Sequence, residues 1–468
     1  MNRYIATSRL PVSAEQAFAY HESPGCLRRL IPPWESVRIE SSDDSLAVGS
    51  RVGLKTDLLG VPLRWVAEHT EYDPPHRFAD VQVSGPFKKW HHTHRFAADG
   101  DRHCTLSDDV QYVLPAGGVG QRFGHSLAAA KIESMFAYRH RVTREDLELA
   151  ARYDLPPQRI AVSGASGMVG SNFSAMATLL GHRCRPIVRH AAKTADEIGA
   201  WTGDAREAEK FNDVDVVVHL AGKPIAGPRW TPQIKEEIRR SRVEKTRELC
   251  ETLAACDSKP SVLISASATG IYGDRGDEVL TEDSAPGEDF LAEVARDWEA
   301  ACRPAVDAGI RVVHPRFGLI LSPTDGALKK MLLPAKLMGG KLGSGRQWWS
   351  WIALDDVLGG LYHAMATTSC TGAMNFTAPE AIRNTDFASR LGKVLGRPAL
   401  VPAPAFGLHL AFGEMADALL LASTNVRPDR LLQSGYRFRF PDLTEQLRYC
   451  LGKERLASAP ADATALNG

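Results

Sequence analysis

The stretch that most constrains this chain is Ile160-Ala-Val-Ser-Gly-Ala-Ser-Gly-Met-Val-Gly170, a β-branched run that feeds directly into three spaced glycines. An apolar pattern of helical period follows. Gly164-x-x-Gly167-x-x-Gly170 between a strand and a helix has the spacing of a dinucleotide-binding turn. The first glycine lets the backbone leave the strand sharply. The second keeps a Cβ away from a pyrophosphate, and the third lets the helix pack closely on the sheet. The helix start then offers unpaired N–H groups and the positive end of its dipole. Gly164, Ser166, Gly167, Met168, Val169 and Gly170 are therefore the candidate phosphate turn.

The second strand reads Arg183-Cys-Arg-Pro-Ile-Val-Arg189. An NAD site would place an acidic residue at its end, to accept from the ribose 2′-hydroxyl. Arg189 stands there instead, and a guanidinium suits a 2′-phosphate through charge-assisted bonds. NADP is the expected cofactor and NAD the alternative; the competing role for Arg189 is that of a solvated surface arginine.

With 468 residues the chain exceeds what one core organises, so more than one domain is expected. Lys plus Arg equals Asp plus Glu, 56 each, which argues against a nucleic-acid or acidic-membrane partner. No apolar run is long enough for a transmembrane helix, and the N-terminus has no signal-peptide core. Eight scattered cysteines without a Cys-x-x-Cys pair fit reduced thiols and a cytoplasmic location.

The prolines of Tyr153-Asp-Leu-Pro-Pro-Gln158 mark a joint before the glycine turn. Beyond it, strands at 215–222, 261–267 and 310–321 alternate with helices at 231–256 and 289–308, the pattern of a doubly wound parallel sheet. The leader reads as an α+β unit: a strand at 4–10, a helix capped by Ser13, several strands, and a long helix over 121–149. In Gly85-Pro-Phe-Lys-Lys-Trp-His-His-Thr-His-Arg-Phe96, period 2 puts Trp90, His92, His94 and Phe96 on one face. No cysteine or carboxylate set stands at ligand spacing beside these histidines, so they are read as bracing a cavity wall, with no metal expected.

The leader resembles the helix-grip fold of the START-like superfamily of polyketide cyclases and lipid-transfer proteins, which implies an apolar ligand. The rest carries His219-Leu-Ala-Gly-Lys-Pro-Ile-Ala-Gly-Pro-Arg-Trp230, Ser265-Ala-Ser-Ala-Thr-Gly-Ile-Tyr-Gly-Asp-Arg-Gly-Asp277, Gly343-Ser-Gly-Arg-Gln-Trp-Trp-Ser-Trp-Ile352 and Asp355-Asp356 in order. Together they resemble the atypical, extended-type short-chain dehydrogenase/reductase family of predicted nucleoside-diphosphate-sugar epimerases, which ends in a small domain of unknown function. The expected organisation is a START-like domain at 1–152, a Rossmann-type domain at 158–374, a C-terminal domain at 375–452 and a tail at 453–468.

The resemblance implies cofactor contacts at Leu220, Ala221 and Gly222 after the fourth strand, and at Ser265 and Ala266 at the end of the fifth. It adds Pro315 and Arg316 in the loop after the sixth, and a nucleotide sugar as one candidate substrate. The superfamily's catalytic Tyr-x-x-x-Lys does not carry over. Phe290 with Val294, or Leu291 with Ala295, occupies the pair, and neither can exchange a proton. Ser267 matches the superfamily's catalytic Ser/Thr, and Tyr272 or Lys223 could supply the proton; packing and solvated-loop roles compete for these two. Trp230, Gln347, Trp348 and Trp349 form the candidate substrate set, with a place in the core as the alternative. Three functions follow: an NADP-dependent oxidoreductase or epimerase-like enzyme acting on a small molecule, a non-catalytic NADP-binding sensor, or an apolar-ligand or lipid-binding protein working through the leader. The oligomeric state stays open.

Overall fold

A computed structural model describes residues 1–58, 61–115, 117–199, 205–227 and 229–454. The expected tail falls outside these residues from 455 onward. Two compact units divide the chain: residues 1–154 with 178–181 and the segment from Arg448, and residues 155–177 with 182–447. Among the described residues no helix is long and apolar enough to cross a membrane.

In the first unit, strands β1 (Asn2–Leu10), β2 (Arg38–Ser42), β3 (Arg51–Leu58), β4 (Val61–Asp73), β5 (Arg77–Ser84), β6 (Lys89–Ala98) and β7 (Cys104–Val113) form one sheet. Its order is β1-β7-β6-β5-β4-β3-β2, antiparallel throughout. Two short helices, α1 (Ala14–Glu22) and α2 (Cys26–Leu30), leave the first strand, and α3 (Gly117–Tyr153) follows the last. Ser13 caps α1 as expected, its hydroxyl accepting from Gln16 N while the Gln16 side chain accepts from Ser13 N. The inward face of the sheet, with Ala6, Trp90, Val110 and Tyr112, packs on Ile132 and Phe136 of α3. That is a sheet gripping a helix, and it arises because alternation gives each strand one apolar face.

In the second unit, β8 (Arg159–Ser163), β9 (Arg183–Ile187), β10 (Val216–His219), β11 (Val262–Ser265), β12 (Ser267–Ala268) and β14 (Arg311–Phe317) lie parallel in the order β12-β14-β11-β10-β8-β9. The strand Gly372–Phe376 adds to β14, whereas the short β13 (Val279–Leu280) pairs elsewhere with Asn425–Val426. The chain steps outward from β8 to β9 and then returns to β10 on the other side. The order reverses between β8 and β10, where open α/β sheets bind ligands. Ile160, Ala161, Val162, Val217 and Val218 are fully buried, as strands covered on both faces require. Helices α4 (Met168–Leu179), α5 (Pro232–Ala254) and α6 (Phe290–Ala300) supply crossovers.

Two expected elements divide. The helix read over 289–308 stops at Ala300, and a separate one spans Arg303–Asp307 with Pro304 in its first turn. The strand read over 310–321 breaks at Gly318, where a Cβ would meet the Ser350 carbonyl oxygen at 2.5 Å.

Candidate active site at the sheet switch point

Gly164 takes φ +68°, the left-handed region, so the chain turns immediately off β8. A Cβ there would lie 2.9 Å from the Leu220 carbonyl carbon, so the turn presses against the exit of β10. At Gly170 a Cβ would sit 2.3 Å from the Gly164 carbonyl oxygen, which leaves room only for glycine where α4 meets the turn. This compact corner opens into a cavity of about 310 Å3. Gly164, Gly167, Met168, Val169, Gly170, Leu220, Ala266 and Ser267 line it together, although they come from distant parts of the sequence.

A buried polar pin fixes the floor. Ser163 Oγ accepts from the backbone N–H groups of Leu220 and Ala221, at 3.1 and 3.2 Å. With both lone pairs engaged, its O–H donates to His219 Nδ1 at 2.6 Å. The imidazole is then the Nε2–H tautomer, donating to Thr246 Oγ1 at 2.9 Å, which also accepts from Trp298 Nε1. Burial pushes His219 down to about 4, so the ring is neutral.

Arg242 of α5 supplies the cavity's cation. Its Nη1 donates to Lys223 O at 3.0 Å and Ile238 O at 3.3 Å, with Ser241 Oγ at 3.4 Å, all neutral acceptors. The guanidinium stacks 5.1 Å from the Trp298 ring centre and makes no ion pair among the described residues. Gly222 exists above it because a Cβ there would meet its Cζ at 3.2 Å. Burial lowers its pKa to about 10. The sequence reading missed Arg242, although a signal was present. It shares the buried stripe of α5 with Ile238, Thr246, Leu249 and Leu253, where a lone cation is out of place.

Across the cavity, α6 presents Leu291, Val294, Ala295 and Trp298. Of the two pairs that could stand in for Tyr-x-x-x-Lys, Leu291 and Ala295 both face the cavity, whereas Phe290 packs on Trp230. Ser267 Oγ donates to Glu299 Oε1 at 2.7 Å, and Glu299 pairs with Arg316 at 2.8 and 2.9 Å. Burial raises the Glu299 carboxyl, but the Arg316 guanidinium outweighs that and leaves it below its ordinary value.

Several expected site residues lie elsewhere. Tyr272 is fully enclosed: its phenol donates to Asn375 Oδ1 at 2.7 Å and accepts from Arg316 Nη1 at 2.8 Å. Burial raises its pKa, so the phenol stays protonated, and the residue is not among those lining the cavity. Lys223 pairs with Glu237 and does not line the cavity. Pro315 and Arg316 are interior to β14, not in the loop after it, and Phe317 lines the cavity in their place. Ser265 is fully buried at the end of β11. Ala221 and Gly222 follow β10 beside Leu220, and Ser166 is exposed on the glycine turn. Arg189 is exposed two residues beyond β9, with no partner among the described residues.

The four candidate substrate residues lie outside the cavity lining. Trp230 donates to Ile225 O, and the Gln347 amide donates to Leu342 O and Leu420 O. Trp348 donates to Asp277 and lies under the Arg383 guanidinium, whereas Trp349 packs edge-on to Phe387. Each serves local packing, and none lines the cavity.

Three stretches match known families: residues 10–136 the polyketide cyclase/dehydrase and lipid transport family, 160–375 the NAD dependent epimerase/dehydratase family, and 403–450 a domain of unknown function, DUF1731. The epimerase family protein Mb2239 of Mycobacterium bovis is 37% identical over 293 residues, 62% of this chain and 96% of its own length. The crystal structure of the nucleoside-diphosphate sugar epimerase from Corynebacterium glutamicum has a TM-score of 0.78 at 33% identity, covering 97% of this chain and 91% of that one. The human epimerase family protein SDR39U1, crystallised with NADPH, has a TM-score of 0.58 at 30% identity, over 63% of this chain and 99% of its own. A glycine turn at the switch point of a parallel sheet, joined to relatives matched over nearly their whole length, assigns the chain to the NAD dependent epimerase/dehydratase family, with a polyketide cyclase-type stretch before the family match and a DUF1731 stretch after it in this sequence.

Proposed function

We propose that the cavity binds NADP and holds a small hydroxylated molecule, with nucleotide sugars as the candidate substrate class, against its nicotinamide end. The observation that carries this reading is Arg242, a buried cation without a carboxylate partner among the described residues, in a cavity that also receives the α4 N-terminus. Buried charges persist where something of opposite sign pairs with them, and a pyrophosphate supplies that charge here. The glycine turn fits such a group, because Gly164 and Gly170 stand where a Cβ would strike backbone, which lets the helix start close beside the end of β8. Arg189, exposed beyond β9, is assigned to the adenosine 2′-phosphate. The NADPH-bound human relative supports the same choice, with NAD as the alternative.

When bound, the cofactor supplies hydride chemistry. Ser267, which lines the cavity, is assigned the contact to a substrate oxygen. Its own proton is committed to Glu299, so its lone pairs accept from a substrate hydroxyl. A second reading, cofactor binding without turnover, is favoured by the apolar α6 face, which offers the cavity no proton-exchanging group. The first unit is assigned an apolar ligand through its likeness to the lipid transport family. Eight scattered cysteines without a Cys-x-x-Cys pair fit a reducing, cytoplasmic setting.

Titration with NADPH and NADH tests the cofactor assignment. NADPH should bind more tightly, and Arg189→Ala should erase the difference through a loss of roughly ten- to a hundred-fold for NADPH alone. Equal affinities in the parent chain would overturn it. Labelled-hydride exchange into a panel of nucleotide sugars, with Ser267→Ala as control, separates enzyme from sensor.

A further inference from the structure

The inward face of β6 carries a second polar cluster, in the first unit. Register sets Asp80 of β5 opposite His92 and Asp108 of β7 opposite His94, so four chemistry-bearing side chains meet from three strands. His92 is bracketed, with Nδ1 3.2 Å from Asp80 Oδ2 and Nε2 2.9 Å from Asp108 Oδ1. His140 descends from α3 to place Nε2 2.5 Å from Asp108 Oδ2, while its Nδ1 lies 2.9 Å from Ser8 Oγ. His94 Nδ1 approaches Asp108 Oδ1 at 2.5 Å outside hydrogen-bonding geometry. These five side chains are between 3% and 15% exposed, closed off from bulk water.

Filling a sheet–helix interface needs only apolar groups, as Trp90, Val110 and Phe136 show next door. Two carboxylates and three imidazoles in that position are costly unless each is engaged. One ligand atom each from Asp80, His92 and His94 falls within 4.8 Å of the others, a grouping that a single ion could draw together.

We propose that Asp80, His92 and His94 form a site for a borderline divalent cation of the zinc class, with Asp108 as the outer carboxylate that orients the imidazoles. Two imidazoles and one carboxylate suit zinc, iron or nickel, whereas calcium and magnesium take all-oxygen sets. Bound through Nδ1, His92 keeps Nε2–H for Asp108, the carboxylate–histidine–metal arrangement that fixes ring orientation. Asp108 is itself anchored by His140, and through it to Ser8 of β1. The charges of Asp80 and Asp108 together balance a divalent ion. Three protein ligands leave a coordination position for water or for a ligand of the domain.

The full chain, prepared without a polyhistidine tag and stripped by chelator, is titrated with Co2+ and then with Zn2+. The expected result is about one ion per chain, with visible bands of low-symmetry Co2+ that Zn2+ displaces. His94→Ala should abolish the bands. Asp108→Asn should keep them while weakening affinity roughly 10–100-fold. Circular dichroism reports folding of each variant, and if His94→Ala does not fold, the parent spectrum and Asp108→Asn decide. A folded parent that develops no bands, or a His94→Ala chain that binds like the parent, overturns the site.

Discussion

Replacing Arg242 by methionine separates the cost of a buried cation from its use. Burial holds the guanidinium at about 10, against an ordinary 12.5. At about 1.4 kcal/mol per pKa unit, keeping the charge in the fold costs on the order of 3 kcal/mol. Its hydrogen bonds to Lys223 O, Ile238 O and Ser241 Oγ share the two N–H groups of Nη1 and return about 2 kcal/mol together. The two nearly cancel, and methionine keeps most of the contact with Trp298. Without cofactor, Arg242→Met should therefore unfold within about 1 kcal/mol of the parent in urea. With cofactor, a charge-assisted phosphate contact worth about 1.5–3 kcal/mol disappears, so affinity should fall roughly ten- to a hundred-fold. Because the assigned contact is the pyrophosphate, NADPH and NADH should weaken alike, unlike the selective loss at Arg189→Ala. Arg242→Lys should recover part of the affinity but not the forked geometry. Fluorescence titration of both cofactors measures this; parent-like affinity in Arg242→Met would refute the reasoning.

Three further predictions concern the frame. Gly170→Ala drives a Cβ to 2.3 Å from the Gly164 carbonyl oxygen, so the turn must open; it should cost about 1–3 kcal/mol by urea unfolding and reduce NADPH binding in the same titration. His219 is held at about 4 in the fold and near 6.5 when unfolded, so acid protonates the unfolded chain first. Its contribution is complete above pH 6.5 and lost as pH falls toward 4, roughly 2 kcal/mol by pH 5. Unfolding curves at pH 7 and pH 5 should show that loss, reduced in His219→Gln; His182, also about 4, leaves a residual slope of the same sign. In the first unit, Asp146 accepts from both Arg29 and Tyr20, with the Arg29 and Asp146 side chains 3% and 0% exposed. Arg29→Met should cost about 3–5 kcal/mol in urea unfolding, because it leaves a buried carboxylate without its cation.

Features that depend on a few neighbouring residues can be read without the fold. The turn at Gly164–Gly170 is local: a positive φ and two close backbone approaches can be met only by glycine, so three spaced residues announce it. The Ser13 cap and the strand–helix alternation are legible for the same reason, since propensity and period act over a turn or a strand. Which side chains reach the cavity was decided only by the tertiary structure. Tyr272 follows β12 closely enough to suggest catalysis, yet Asn375 and Arg316, distant in sequence, enclose it. The tryptophans at 230, 348 and 349 looked like a binding set, and their ring neighbours, Phe290, the Arg383 guanidinium and Phe387, come from elsewhere in the chain. Arg242 read as one charge among many on a long helix, until Gly222 and Trp298 closed around it. His92 and His94 lacked carboxylates at any local spacing, because theirs come from the strands on either side. Periodicity tells which face a residue occupies, whereas its chemical surroundings are set by contacts between residues far apart in the chain, which no local pattern encodes.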